Sequence, residues 1–311
     1  MAAIQVPLCL GDFLVRDTDG HCSLSLPPQT LQHTPIAELS SQLEHVSASL
    51  TSLNLSANNI GSDGIKEWAP HLGMLSSLTS LNFSWNKIGA EGMKELVPHL
   101  GMLSSLTELN LGWNNFNPEG MKELAPQLGM LRSLASLNLN SDNIGAKGMK
   151  ELAPQLGKLT SLTTLDLGSN NIGDEEMKEW VSQLELLSYL TSLDLSSNSI
   201  GDEGMKELAP YLGMLSSLTG LLLKRNNIHS HGCDILFQSL ITLSSVPLSL
   251  GLSSNNISIL PDSLLNAHRI TALYLHDNPL VEPSSHFIEN SSLQEIKSLL
   301  LLQKEDRKSV V

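Results

Sequence analysis

Cysteine is scarce in this 311-residue chain: the three residues Cys9, Cys22 and Cys233 stand far apart and form no cluster at either end. Small secreted scaffolds lean on paired cysteines, so this usage favours a reducing, cytoplasmic setting. Aromatic residues make up only 4% of the chain, which argues against an aromatic-lined cofactor pocket, and no cofactor is expected. Basic residues are also few. Eighteen Lys and Arg stand against 32 Asp and Glu, a net charge of −14, and a phosphate-backbone partner needs a basic footprint that is missing here. No apolar run reaches the roughly 18 residues of a membrane span. The amino-terminal MAAIQVPLCLGDFLV has no early Lys or Arg, and Asp12 interrupts its apolar run, so it makes a poor signal peptide. Neither nucleic acid nor membrane is expected as a partner.

What the chain has is leucine at a fixed interval. Leu50, Leu78, Leu106, Leu134, Leu162, Leu190 and Leu218 recur every 28 residues, each opening a near-copy of LTSLNFSWNKIGAEGMKELVPHLGMLSS (Leu78 to Ser105). Within a copy, Leu81, Asn82, Phe83 and Ser84 alternate with the period of a strand buried on one face, which places Asn82 and Ser84 on the open side. Asn86 turns the chain, its amide able to serve backbone groups in adjacent coils that would otherwise be buried unpaired. GAEG (Gly89 to Gly92) signals entry into a helix, and Met93, Leu96, Val97 and Leu100 share one helical face. Lys94 and Glu95 look outward. One such unit cannot bury its apolar face on both sides, so neighbours must stack.

The pattern L-x-x-L-x-L-x-x-N-x-I-G-x-x-G-M-K-x-L, over about residues 21–292, resembles the ribonuclease-inhibitor type of leucine-rich repeat, found in NOD-like receptors and Ran GTPase-activating proteins. That resemblance implies an α/β solenoid, a curved arc with parallel strands on its concave face and helices on the convex one. Asn278-Pro279-Leu280 followed by Leu293-Gln-Glu-Ile296-Lys-Ser-Leu299 resembles the exit from the repeats of Roco proteins.

The segmentation follows the pattern. Residues 1–49 form an amino-terminal cap with a degenerate repeat, in which Leu24, Leu26, Ile36, Glu38, Leu39 and Leu43 lie 29 residues before their counterparts. Residues 50–246 hold seven 28-residue copies, and 247–292 hold shorter repeats, with LPDSLL in place of a longer helix. Residues 293–311 form a capping helix, opened by a capping box at Ser292 and Glu295, and a tail. Pro70, Pro98, Pro126, Pro154 and Pro210 recur at one helix position, where Ser182 stands in the fifth copy, so each proline-bearing helix should be short or kinked. Trp68 and Trp180 fill a column of core leucines. Cys233 falls in a core column, and His229 and His231 diverge too much for a metal site; no metal is expected.

Function must then lie in what varies between copies. Asp166 and Asp194 face outward on successive strands, about 4.8 Å apart by strand spacing, in the column of Asn54, Asn82, Asn110 and Asn138. No nucleophile, base or phosphate cradle accompanies them, so no enzymatic activity is expected. Asp142 replaces a turn asparagine and loses its amide donors, so its turn should be weakened. Trp85 and Trp113 stand where other copies have Ala57, Ser141, Ser169 and Ser197. An exposed pair of this kind suits a hot spot for a protein partner, unless the two pack over each other as a lid. Leu222, Lys224 and Arg225, continuing toward Tyr274, His276 and Asp277, bring positive charge to an acidic face. Ser309-Val310-Val311 matches the carboxyl-terminal form read by PDZ domains. The reading is a non-catalytic scaffold that binds another protein through its concave face. The alternatives are a GTPase-activating or other regulatory protein, or the repeat arm of a larger NOD-like-receptor or Roco-type signalling protein.

Overall fold

A computed structural model describes residues 10–33, 42–241, 246–281 and 283–309. The chain divides into two compact units, residues 1–162 and 163–311, and the division falls at the opening leucine of the fifth copy.

In the first unit, β1 (Leu14–Arg16) runs antiparallel along β2 (Cys22–Ser25). From β2 onward the strands are parallel and lie side by side in chain order: β3 (Leu50–Asn54), β4 (Ser80–Asn82), β5 (Glu108–Asn110) and β6 (Ser136–Asn138). The second unit repeats the arrangement with β7 (Thr164–Asp166), β8 (Ser192–Asp194), β9 (Gly220–Leu222), β10 (Leu248–Gly251) and β11 (Ile270–Tyr274). Register is kept by the leucines. Leu53, Leu81, Leu109 and Leu137 are successive partners in one unit, and Leu165, Leu193, Leu221, Leu250 and Leu273 in the other. A one-residue slip would turn each of these inward side chains out to water.

Helices cover the inner side of the strands. They are α1 (Gly61–Leu72), α2 (Gly89–Leu100), α3 (Asn117–Leu128) and α4 (Gly145–Leu156) in the first unit. In the second they are α5 (Asp174–Trp180), α6 (Asp202–Leu212), α7 (Ser230–Ser239), α8 (Ser285–Asn290) and α9 (Leu293–Ser309). Met93, Leu96, Val97 and Leu100 are buried as the helical spacing requires, and so are Trp68, Trp180 and Cys233. Each leucine taken from water contributes about 1.5–3 kcal/mol. Lys94, Lys178 and Lys206 pair at the surface with Glu91, Glu175 and Glu203 one turn earlier.

The turn asparagines form the predicted ladder. Asn58 N–H donates to Asn86 Oδ1 at 2.9 Å and Asn86 N–H to Asn114 Oδ1 at 3.0 Å, while Asn86 Nδ2 donates to Leu55 O and Phe83 O at 2.8 and 2.9 Å. Asn170, Asn198, Asn226, Asn255 and Asn278 serve the second unit in the same way. The capping box also forms: Ser292 N–H donates to Glu295 Oε2 at 2.7 Å and Glu295 N–H to Ser292 Oγ at 3.3 Å. Helix α9 then buries Ile296 and Leu300 against β11 and the 3-10 turn Asp262–Leu265, leaving Leu301 and Leu302 exposed.

Several expectations need correction. The proline-bearing helices are not shortened. Each runs two residues past its proline, and the shortest of the series is α5, the one without proline, which passes into a 3-10 turn at Val181–Leu186. The carbonyl that proline leaves unserved belongs to an exposed lysine four residues earlier (Lys66, Lys94, Lys122, Lys150, Lys206), on the solvent side of the helix, where water can serve as the donor. In α5 the helix gives way at Val181 and Ser182, two residues of modest helix propensity. Ser84 is buried, not open, because its N–H turns back onto Asn82 Oδ1 at 2.9 Å and its carbonyl accepts from Ala57. The turn at Asp142 keeps its place, with Oδ1 accepting from Asn114 and Asn115 N–H at 2.7 and 2.9 Å, while desolvation of the buried carboxyl weakens it as expected. Residues 1–9, with Cys9, the segment holding Ile36, Glu38 and Leu39, and Val310 and Val311 of the PDZ-type tail lie outside the described residues.

Candidate functional site

The polar column on the open side of the strands has a local job. Oδ1 of Asn54, Asn82, Asn110 and Asn138 accepts the N–H two residues ahead, at 2.9–3.1 Å. Asp166 and Asp194 do the same for Gly168 and Ser196, at 2.9 and 2.8 Å. This turn-forming bond needs only a side-chain oxygen at that reach, so Asn and Asp are interchangeable in it. It accounts for both aspartates without invoking chemistry.

Trp85 and Trp113 sit three residues past that column in β4 and β5. Their rings stack with centroids 4.0 Å apart and planes 11° from parallel, so they do pack over each other. They nevertheless stay 53% and 46% exposed, which leaves much of the pair open to solvent. Both occupy left-handed backbone, φ +61° and +64°, as do Ala57, Ser141, Ser169, Ser197 and Arg225 in the same place. A non-glycine residue there costs roughly 1–2 kcal/mol whichever side chain it carries, so all the pair adds over Ala or Ser is the roughly 0.5–1.5 kcal/mol of an aromatic contact. The fold therefore gains little from these tryptophans.

Across β4, β5 and β6 lies a cavity of about 230 Å³ lined by Ser80, Asn82, Glu108, Asn110, Ser136 and Asn138, together with Leu81 and Leu109. Glu108 was missed in the sequence. It stands where Ser52, Ser80, Ser136, Thr164 and Ser192 stand in other copies, and comparison down that one column would have found it. Its carboxylate accepts from Ser80 Oγ at 2.9 Å.

In the second unit the candidates form one surface. Asp166, Asp194, Leu222, Gly251 and Tyr274 are successive partners across β7 to β11. Gly251 has no side chain, and Leu222 Cδ2 lies 3.1 Å from where a Cβ would be, so Leu222 leans over it. Leu222 and Tyr274 are both exposed. Two and three residues further along each chain come Lys224, Arg225, His276 and Asp277, all exposed, with Asp277 Oδ2 accepting from Ser254 Oγ at 3.2 Å. Trp85 and Trp113 belong to the other unit.

The histidines behave as part of a helix start. His229 N–H donates to Asp202 Oδ1 at 2.8 Å, as Gly201 N–H donates to Asp174 at 2.6 Å one copy earlier. Turn residues Gly173, Gly201 and His229 are extended, with φ −109°, −107° and −97°, whereas Gly61, Gly89 and Gly145 have φ between +56° and +66°. Histidine is tolerated at 229 because that turn does not demand glycine. Among the described residues no group of three or more His, Cys, Asp or Glu is placed to hold a metal ion, and no helix is long and apolar enough to cross a membrane.

Against known proteins, the family model described as Leucine Rich repeat matches residues 46–67, 75–97, 103–125, 158–175 and 187–209. No curated protein matches the chain. Among solved structures, an internalin (InlF) from Listeria monocytogenes is 22% identical, with a TM-score of 0.41, over 76% of this chain and 69% of that one. The matched segments, the leucine register and the asparagine ladder together make this the fold of a leucine-rich-repeat solenoid.

Proposed function

We propose that this chain is a non-catalytic scaffold in signalling, working in the reducing cytoplasm, that holds a partner protein against its strand face. The observation that carries the reading is the Trp85–Trp113 pair, half-exposed at left-handed positions where four other copies place Ala or Ser and one places Arg225. Large aromatics kept where the fold does not need them suit an interface hot spot. Stacked repeats also hold a wide surface in shape, so little ordering entropy is lost on binding. The row Asp166, Asp194, Leu222, Tyr274, with Lys224, Arg225 and His276 beside it, is a second contact surface in this reading. The 28-residue step and the 12-residue helices α1 to α4 support assigning the repeats to the ribonuclease-inhibitor type. Free, buried Cys22 and Cys233 suit a reducing compartment.

The test is affinity capture from native cell extract with the wild type and with a Trp85→Ala, Trp113→Ala variant of verified folding. A partner held by the first and lost from the second supports the reading. Equal capture by both moves the interface to the Leu222–Tyr274 surface and refutes the role given to the tryptophans.

A further inference from the structure

We infer that the partner presents an extended segment carrying Lys or Arg, and that Glu108 receives that cation beside the Trp85–Trp113 stack. The inference rests on the scaffold reading and deepens it. Three departures from the repeat fall in two neighbouring copies: Trp85 comes three residues after β4, Glu108 opens β5, and Trp113 comes three residues after β5. Glu108 alone brings a charge into a column of small hydroxyl side chains. Its carboxylate is the one ionised group lining the 230 Å³ cavity, and its partner there is the Ser80 hydroxyl; among the described residues it forms no ion pair. An open carboxylate in a polar cavity attracts a cation, and so do the negative faces of the indole rings. The net charge of −14 adds the same bias at longer range. Glu108 and Trp113 are five residues apart in sequence, at most about 17 Å along the chain, within the span of a short extended peptide. Asn82, Asn110 and Asn138 line the same cavity as Glu108, and side-chain amides of this kind suit the carbonyl oxygens of such a segment.

The experiment is selection of a random twelve-residue peptide display library on the full chain, with parallel selections on Glu108→Ser and on Trp85→Ser, Trp113→Ser. Each substitution installs a residue that other copies carry at the same place, so the fold is retained. The expected result is enrichment of Lys- or Arg-bearing peptides on the wild type, with binding that weakens as salt is raised. Synthetic versions of the selected peptides should bind Glu108→Ser roughly tenfold more weakly. Enrichment of neutral or acidic peptides, no enrichment over background, or equal affinity for Glu108→Ser overturns the inference. If a captured partner is lost with the Trp variant but kept by Glu108→Ser, the basic-segment inference fails while the scaffold reading stands.

Discussion

Replacing Asp142 with asparagine restores the residue found at this place in every other ladder copy, and the structure gives the sign and size of the effect. Asp142 is fully buried, and desolvation pushes its carboxyl up from 3.8 to about 9, although the two N–H bonds from Asn114 and Asn115 pull the other way. The folded chain therefore keeps a proton that the unfolded chain releases between about pH 4 and pH 9. Stability contributed by the protonated carboxyl is whole below the unfolded value and is lost as pH rises toward the folded one. From 3.8 to pH 7 is about 3.2 pH units, and at about 1.4 kcal/mol per unit the cost is on the order of 4 kcal/mol. Asparagine carries no such penalty and adds amide donors, each contributing about 1 kcal/mol. Asp142→Asn should thus stabilise the first unit strongly at pH 7 and by only about 1 kcal/mol near pH 4. Urea unfolding of both proteins at pH 4, 5.5, 7 and 8.5, followed by circular dichroism, measures the difference. Hydrogen exchange over residues 138–145 supplies a local readout. Titration of other groups cancels between the two proteins, so a stability difference that stays flat across this range would refute the reasoning.

The other predictions concern the frame and the tryptophans. Asn114→Ala removes acceptors for Asn86 and Ile88 N–H and donors to Phe83 and Leu111 carbonyls, all buried, and should cost on the order of 4 kcal/mol in denaturant unfolding. Gly89→Ala should cost about 1 kcal/mol, because its turn has φ +66° with open space around the new Cβ. Gly232→Ala should cost more, since the methyl would press on the Asp202 carboxylate and lie 3.1 Å from its Cα, disturbing the bond to His229; comparing the two melting temperatures checks the order. Trp85→Ser with Trp113→Ser should lower stability by about 0.5–1.5 kcal/mol, the stacking contribution, because serine bears the same left-handed cost; a much larger loss would make the pair a structural lid.

Much of the frame was legible because each feature recurs. Leucines at a fixed step, asparagine at the turn and the Ser292–Glu295 pair each name a local geometry whose bonds the sequence can count. What failed were inferences from a residue type without its surroundings. Proline was read as a helix breaker, but the carbonyls it abandons face water. Glycine at the helix entry is left-handed at 61, 89 and 145 but extended at 173 and 201, where the glycine N–H donates to the carboxylates of Glu176 and Asp174. Trp85 and Trp113 were found by their size; their left-handed backbone could not be, because the small residues beside them in the column tolerate it silently. Glu108 was overlooked because the column around it is otherwise small and polar, and a single charge there has meaning only once the cavity over β5 is seen.

The ladder also decides where this protein has freedom to change. Its side-chain bonds join the loops at the strand ends, and its carbonyls reach no further than the first residue of a helix. A 12-residue helix in α2, a 7-residue helix with a 3-10 extension in the fifth copy and a four-residue 3-10 turn at Asp262–Leu265 all hang from it. Ile257 N–H still reaches Asn278 Oδ1 at 3.1 Å after the step has shortened to 23 residues. Lengthening, trimming or rebuilding the helix side therefore leaves the spacing of the strand-side residues intact, so the helix surface can be remodelled without retuning the strand surface.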